Sequence, residues 1–76
     1  MKRTFNYNGK RITLDRMESA ELQQIGITSE AIKVNYGGSD CEYYQDSNGN
    51  VYEVLNNTIQ GCWTIEDFVK WFNVID

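Results

Sequence analysis

The chain has 76 residues, two cysteines, no histidine, no proline and a formal charge of -4, which leaves room for one domain near the lower limit at which a single core suffices. Its 41% hydrophobic and 13% aromatic content argues for a packed fold, because disordered chains lack the aromatics that offset ordering entropy. Without histidine, neither a Ser/His/Asp nor a Cys/His nucleophile system can be assembled within the chain, and no apolar run approaches the roughly 20 residues of a membrane span.

Asn8-Gly9 sits between two alternating runs. A two-residue loop there pairs Tyr7 with Lys10, Phe5 with Ile12 and Arg3 with Leu14. This places Phe5, Tyr7, Ile12 and Leu14 on one face and Thr4, Asn6, Arg11 and Thr13 on the other, as in a half-buried hairpin with a type I′ turn. A short helix follows. Asp15 can cap it with Glu18 reaching back, or Ser19 can start it one turn later. Met17, Ala20, Leu22 and Ile25 form its apolar side, and Gly26-Ile27 reads as a left-handed stop with a hydrophobic clasp. Thr28 and Ser29 end or restart the helix.

From Ala31 the period changes to two. Ile32, Val34 and Tyr36 alternate with Lys33 and Asn35 until Gly37-Gly38, which predicts a strand. Cys41 to Gln45 and Val51 to Leu55 flank Asp46-Ser47-Asn48-Gly49-Asn50. Two registers are open there: a two-residue loop sets Tyr43 opposite Val54, whereas a type I turn closed by a left-handed glycine bulge, the better fit, sets Tyr44 opposite Tyr52. Thr58 to Trp63 predicts a further strand. Thr64 then opens the clearest helix, with a capping-box spacing to Asp67 and Trp63 placed to staple onto Phe68. Ile65, Phe68, Val69 and Phe72 share one stripe, so this helix should lie across a sheet, with Trp71 and Val74 off the stripe. The expected fold is α+β: an antiparallel sheet of hairpin and meander with a short helix and a C-terminal helix packed on it.

The segment Glu21 to Ile32 resembles a helix-turn-helix, with its central Gly26 and apolar neighbours. The would-be recognition helix carries Glu30 and only Lys33, where phosphate and base contacts call for several basic or amide groups. Ile32, Val34 and Tyr36 also alternate like a strand, which makes an ordinary helix stop the better reading. The loop from Asp46 to Asn50 superficially resembles a calcium loop, but its glycine is the fourth residue instead of the sixth and no bidentate glutamate closes it, so it reads as a turn. Cys41 and Cys62 lack metal-ligand spacing and are expected as free thiols in a reducing compartment. Neither a cofactor nor a metal is expected. A carboxylate pair drawn from Glu42, Asp46 and Glu53 could in principle act as acid and base, yet solvated carboxylates on a strand's outer face are far commoner, so no enzymatic activity is expected.

Charge is split along the chain. Residues 1 to 16 hold Lys2, Arg3, Lys10, Arg11 and Arg16 against Asp15, net +4, while residues 17 to 76 carry a net -8. Separated charge governs encounter and partner choice more than fold. Two contact surfaces follow. One is acidic and aromatic, built on Glu42, Tyr44, Asp46, Glu53 and Trp71, and suits a basic protein surface. The other is the basic hairpin of Lys2, Arg3, Lys10, Arg11 and Arg16, which could contact phosphates with a steep salt dependence, unless internal acidic residues pair with it.

In size, acidic balance, absence of histidine and turn-rich α+β pattern, the chain resembles the small proteins that bacteriophages use against host defence, anti-CRISPR proteins among them. The resemblance implies a cytoplasmic, stoichiometric inhibitor that binds a bacterial nuclease or effector complex and blocks its nucleic-acid site. It implies no membrane. The alternative is a nucleic-acid-binding accessory or regulatory protein that uses the basic hairpin.

Overall fold

A computed structural model of the protein describes residues 1–35 and 41–73. The chain runs β1 (Lys2–Tyr7), β2 (Lys10–Arg16), α1 (Ser19–Gln24), α2 (Ser29–Asn35), β3 (Cys41–Gln45), β4 (Val51–Leu55), β5 (Thr58–Trp63) and α3 (Ile65–Phe72). The five strands form one antiparallel sheet in sequence order. It curls into a half-barrel with the helices packed on it, giving a single α+β domain.

The first hairpin has the register expected from Asn8-Gly9: Tyr7 faces Lys10, Phe5 faces Ile12 and Arg3 faces Leu14. Asn8 and Gly9 both adopt positive φ, 51° and 78°, as a type I′ turn requires. The β3–β4 loop also follows its expected form. The Gly49 N–H donates to the Asp46 carbonyl at 3.0 Å and the Asp46 N–H to the Asn50 carbonyl at 3.0 Å, with Gly49 at φ 89°, and Tyr44 pairs with Tyr52. Asn56 and Asn57, at φ 52° and 63°, make the two-residue turn into β5.

Alternation along β3 and β4 divides the core between two faces. Tyr43 and Val51 face the helices and join Met17, Leu22, Ile27, Ala31, Phe68 and Phe72. Tyr44, Tyr52 and Val54 face the concave side and join Phe5, Leu14 and Ile59. The first hairpin curls over that side, so its apolar face meets the tyrosines edge to face: Phe5 on Tyr44 at 5.0 Å and Tyr7 on Tyr52 at 5.9 Å between centroids. A bulge between Glu53 and Val54 in the pairing with β5 sets Val54 opposite Ile59 and Glu53 opposite Gly61. Ile59 therefore stays on the concave side while Gly61 and Trp63 return to the helical side.

Two local expectations are corrected. The segment from Ala31 is helical through Asn35, not a strand; Tyr36 and Gly37-Gly38 lie outside the described residues. Thr28 decides the matter. Its Oγ1 accepts the Ala31 N–H at 3.0 Å and its carbonyl accepts the Ile32 N–H at 3.0 Å, an N-cap that starts a helix. Helical spacing then buries Ile27 and Ala31 together in the core, a gain that the alternation of Ile32 and Val34 cannot match. Asn73 secures this turn from α3: its Oδ1 accepts from the Thr28 N–H and hydroxyl, and its Nδ2 donates to the Gly26 carbonyl at 3.0 Å.

The second correction concerns the start of α1. Asp15 does not cap it, because β2 continues through Arg16 and the Met17 N–H donates to the Tyr43 carbonyl at 2.8 Å. Glu18 is the N-cap instead, with Glu21 accepting its N–H at 3.3 Å. The stop is as expected: Gly26 has φ 100° and the Ile27 N–H donates to the Leu22 carbonyl at 3.0 Å, with Leu22 and Ile27 both buried. The stretch resembling a helix-turn-helix thus does fold as helix, turn and helix, and its second helix exposes Ser29, Glu30 and Lys33.

Candidate functional site

Glu42 is not a free surface carboxylate. It stands between two arginines of the basic hairpin, with Arg16 Nη1 at 2.8 Å from its Oε2 and Arg3 Nη1 at 3.1 Å from its Oε1. Arg3 also donates to the Tyr44 hydroxyl at 2.9 Å and to Asn57 Oδ1 at 2.6 Å, while its guanidinium lies 4.9 Å from the Phe5 ring centroid. Arg3 therefore ties the first strand to β3 and to the β4–β5 turn, at one end of the half-barrel. Tyr44 itself is 0% exposed. Its ring belongs to the core and cannot offer contact area to a partner, a correction to its place in the acidic surface.

The basic hairpin is accordingly divided. Arg3 and Arg16 bind Glu42, whereas Lys2, Lys10 and Arg11 are exposed. Lys2 pairs across the hairpin with Asp15, at the end opposite Lys10 and the turn, about 17 Å away along the strand at 3.3–3.4 Å per residue. The five cations do not make one patch.

Asp46 is committed to its loop. Its Oδ1 accepts the Asn48 and Asn50 N–H groups, each at 2.9 Å, and its Oδ2 accepts the Tyr52 hydroxyl at 3.0 Å. Burial works to raise the Asp46 carboxyl, but the Asn50 N–H, the Tyr52 hydroxyl and the other donors outweigh it and hold the group below its ordinary value. A lowered folded-state value means that the ionised carboxylate adds stability at neutral pH, and that this contribution is lost as pH falls through the folded value, below 3.8. Asp46→Asn should lower neutral-pH stability by about 1 kcal/mol and flatten the acid limb of the melting temperature. Circular dichroism melts from neutral pH down to the acid range check this; parallel curves for both proteins would refute it.

Glu53 accepts the Tyr43 hydroxyl at 3.2 Å. Burial first, and then Cys41 and Glu53, push that hydroxyl far above its ordinary value, so it stays a donor. Burial likewise raises the Cys41 thiol, which opposes thiolate formation.

Of Glu42, Tyr44, Asp46, Glu53 and Trp71, Trp71 is the most open, 49% exposed. It stacks on Trp63 at 5.4 Å between centroids with 10° between planes. Trp63 in turn packs on Phe68 at 5.7 Å and lies over Gly61, where an added Cβ would come within 2.6 Å of the indole. Gly61 is the cross-strand partner of Glu53, and Asp67 precedes Trp71 by one helical turn. The structure therefore sets Trp71 on Trp63, pairs Glu53 with the Gly61 that Trp63 covers, and leaves Glu42, Tyr44 and Asp46 elsewhere. Gly61, Trp63 and Asp67 were not among the expected contact residues. Trp63 was legible as a staple on Phe68, but its overlap with Trp71 needs the backbone at Gly61 and two turns of α3.

The solvent side of the helical layer exposes Glu18, Glu21, Glu30, Glu66 and Asp67 against Lys33 and Lys70. Among the described residues no pocket opens and no group of three or more His, Cys, Asp or Glu side chains could hold a metal ion. No described helix is long and apolar enough to cross a membrane. The chain matches no family model, no curated protein and no solved structure.

Proposed function

We propose that this protein is a non-catalytic inhibitor that binds the basic nucleic-acid site of a bacterial effector, such as a CRISPR–Cas complex, through its acidic helical layer. The observation that carries the reading is the Trp63–Trp71 stack, with a half-buried Trp63 beneath an exposed Trp71, set among carboxylates of that layer. A rigid indole supplies contact area at little entropic cost, as at the anchors of protein interfaces. The carboxylates supply steering toward a basic groove. Internal pairing of Arg3 and Arg16 with Glu42 takes two cations from the hairpin and weakens the alternative, direct phosphate binding.

The test is protection in cells. Bacteria with an active CRISPR–Cas system and a targeted plasmid should retain the plasmid when the chain is expressed, and Trp71→Ala should reduce that retention at least about tenfold, the usual scale for an interface anchor. Loss of the plasmid across several effector types, together with retardation of oligonucleotides by the purified chain, would replace this reading with the nucleic-acid one.

A further inference from the structure

We propose that the Trp63–Trp71 shelf is a guanidinium site, which seats an arginine side chain of the basic partner flat on the outer face of Trp71 with Glu53 and Asp67 as its counter-charges. The inference rests on the binding reading above and names the chemistry of that same surface.

Three features specify the occupant. The first is rigidity. Trp71 is held from below by Trp63 and from the sides by Phe68 at 5.9 Å and Phe72 at 6.1 Å, and Trp63 is held over Gly61 by a backbone approach that leaves no room for a Cβ. Half of Trp71 nevertheless stays open, so the ring is ready for a planar group without rearrangement. The second is electrostatic sign. The indole face is the negative face of the ring quadrupole and attracts cations. Glu53 lies opposite Gly61, on the strand beneath Trp63, and Asp67 one turn before Trp71; Lys70 stands one turn from Glu66 and from Asp67 alike, so Glu53 and Asp67 together outweigh the one cation beside the shelf. The third is shape. A guanidinium is planar, stacks on an aromatic face and keeps its edge N–H groups for carboxylates, whereas an ammonium is a compact and strongly hydrated point charge. Anionic occupants, whether lipid headgroups or phosphates, are opposed by the same carboxylates and by the net -4.

The probes are two short peptides, one alternating arginine with glycine and one alternating lysine with glycine, together with a single-stranded oligonucleotide. Tryptophan fluorescence and the indole N–H resonances of the intact chain report occupancy. The arginine peptide should bind about five- to tenfold more tightly than the lysine peptide, as cation–π and stacking energies imply. Trp71→Ala and Trp71→Leu should each bring the ratio near one, the leucine variant keeping apolar bulk without the ring. Gly61→Ala, which displaces Trp63 without touching Trp71, should lower the ratio too. Circular dichroism on each variant establishes that it is folded, and the exposed position of Trp71 keeps that substitution compatible with folding.

Equal affinities for the two peptides, an arginine preference that survives in folded Trp71→Leu, no binding of either peptide, or tryptophan-dependent binding of the oligonucleotide would each overturn the assignment. Plasmid protection without an arginine preference defeats the guanidinium site alone. An arginine preference without protection in any effector system defeats the inhibitor reading alone.

Discussion

Phe68→Ala is expected to remove about 3–5 kcal/mol of folding free energy, the range for truncating a fully buried phenylalanine. Phe68 is 0% exposed and touches four aromatic neighbours: Tyr43 at 5.4 Å, Trp63 at 5.7 Å, Trp71 at 5.9 Å and Phe72 at 5.2 Å between centroids. It joins α3 to the sheet and also supports both indoles of the shelf. A domain of this length has on the order of 4–11 kcal/mol of total stability at the usual stability per residue, so the variant should be marginal at room temperature. Thermal melting beside Thr4→Ala, which removes an exposed hydroxyl facing Thr13 at 3.1 Å, gives the comparison. A midpoint for Phe68→Ala as high as that of Thr4→Ala would mean that α3 does not anchor the core.

The second large effect reverses an expectation drawn from charge alone. If Glu42 were a solvated carboxylate, Glu42→Lys would leave folding nearly intact. In the structure the substitution sets a third cation between Arg3 and Arg16 and removes the acceptor for both, as well as the acceptor of the Tyr44 hydroxyl at 3.1 Å. The side chains are partly open, 34% for each arginine and 27% for Glu42, so solvent screens the repulsion and the cost falls below that of breaking a fully buried pair. About 2 kcal/mol is expected. Glu30→Lys, on the exposed side of α2, should change stability by less than about 0.5 kcal/mol. Urea denaturation of the two variants separates these values, and equal midpoints would show that the Arg3–Glu42–Arg16 cluster contributes nothing.

Local chemistry made much of the fold readable. Asn8-Gly9 set the register of β1 and β2 because only residues that tolerate positive φ fit a two-residue turn. Gly49 at positive φ closes the β3–β4 loop, and the Asp46 carboxylate serves as its internal acceptor, which together favour the bulged register. Thr64, the Trp63–Phe68 contact and the apolar stripe marked α3 from start to face. Where two local signals competed, the sequence was ambiguous. Ile32 and Val34 alternate as a strand would, while Thr28 can cap a helix; tertiary burial of Ala31 and the Asn73 hydrogen bonds from a distant element decided for the helix.

The candidate site was less readable because its parts meet through space. Arg3 reaches Glu42 across 39 positions, and no local pattern signals that pairing. The charge split along the chain survives only in part, since two of the five cations that looked available for phosphate are occupied by a carboxylate that looked available for a partner. Trp71 was visible as an aromatic off the buried stripe. Its pairing with Trp63 was not, because it depends on a β-bulge that returns Gly61 and Trp63 to the helical side.

The central claim is that the acidic, aromatic side of the protein meets a basic partner, and association kinetics with an effector against which the chain protects a plasmid test it most directly. Glu53→Gln with Asp67→Asn takes the formal charge from -4 to -2, and Lys10→Gln with Arg11→Gln takes it from -4 to -6. Association rates for both double variants are measured at low and high salt. The first pair should associate about tenfold more slowly than the unmodified chain at low salt and show a flatter salt dependence, and the second should associate as fast or faster. Slower association confined to the Lys10 and Arg11 variant would contradict the claim and assign the contact to the basic hairpin.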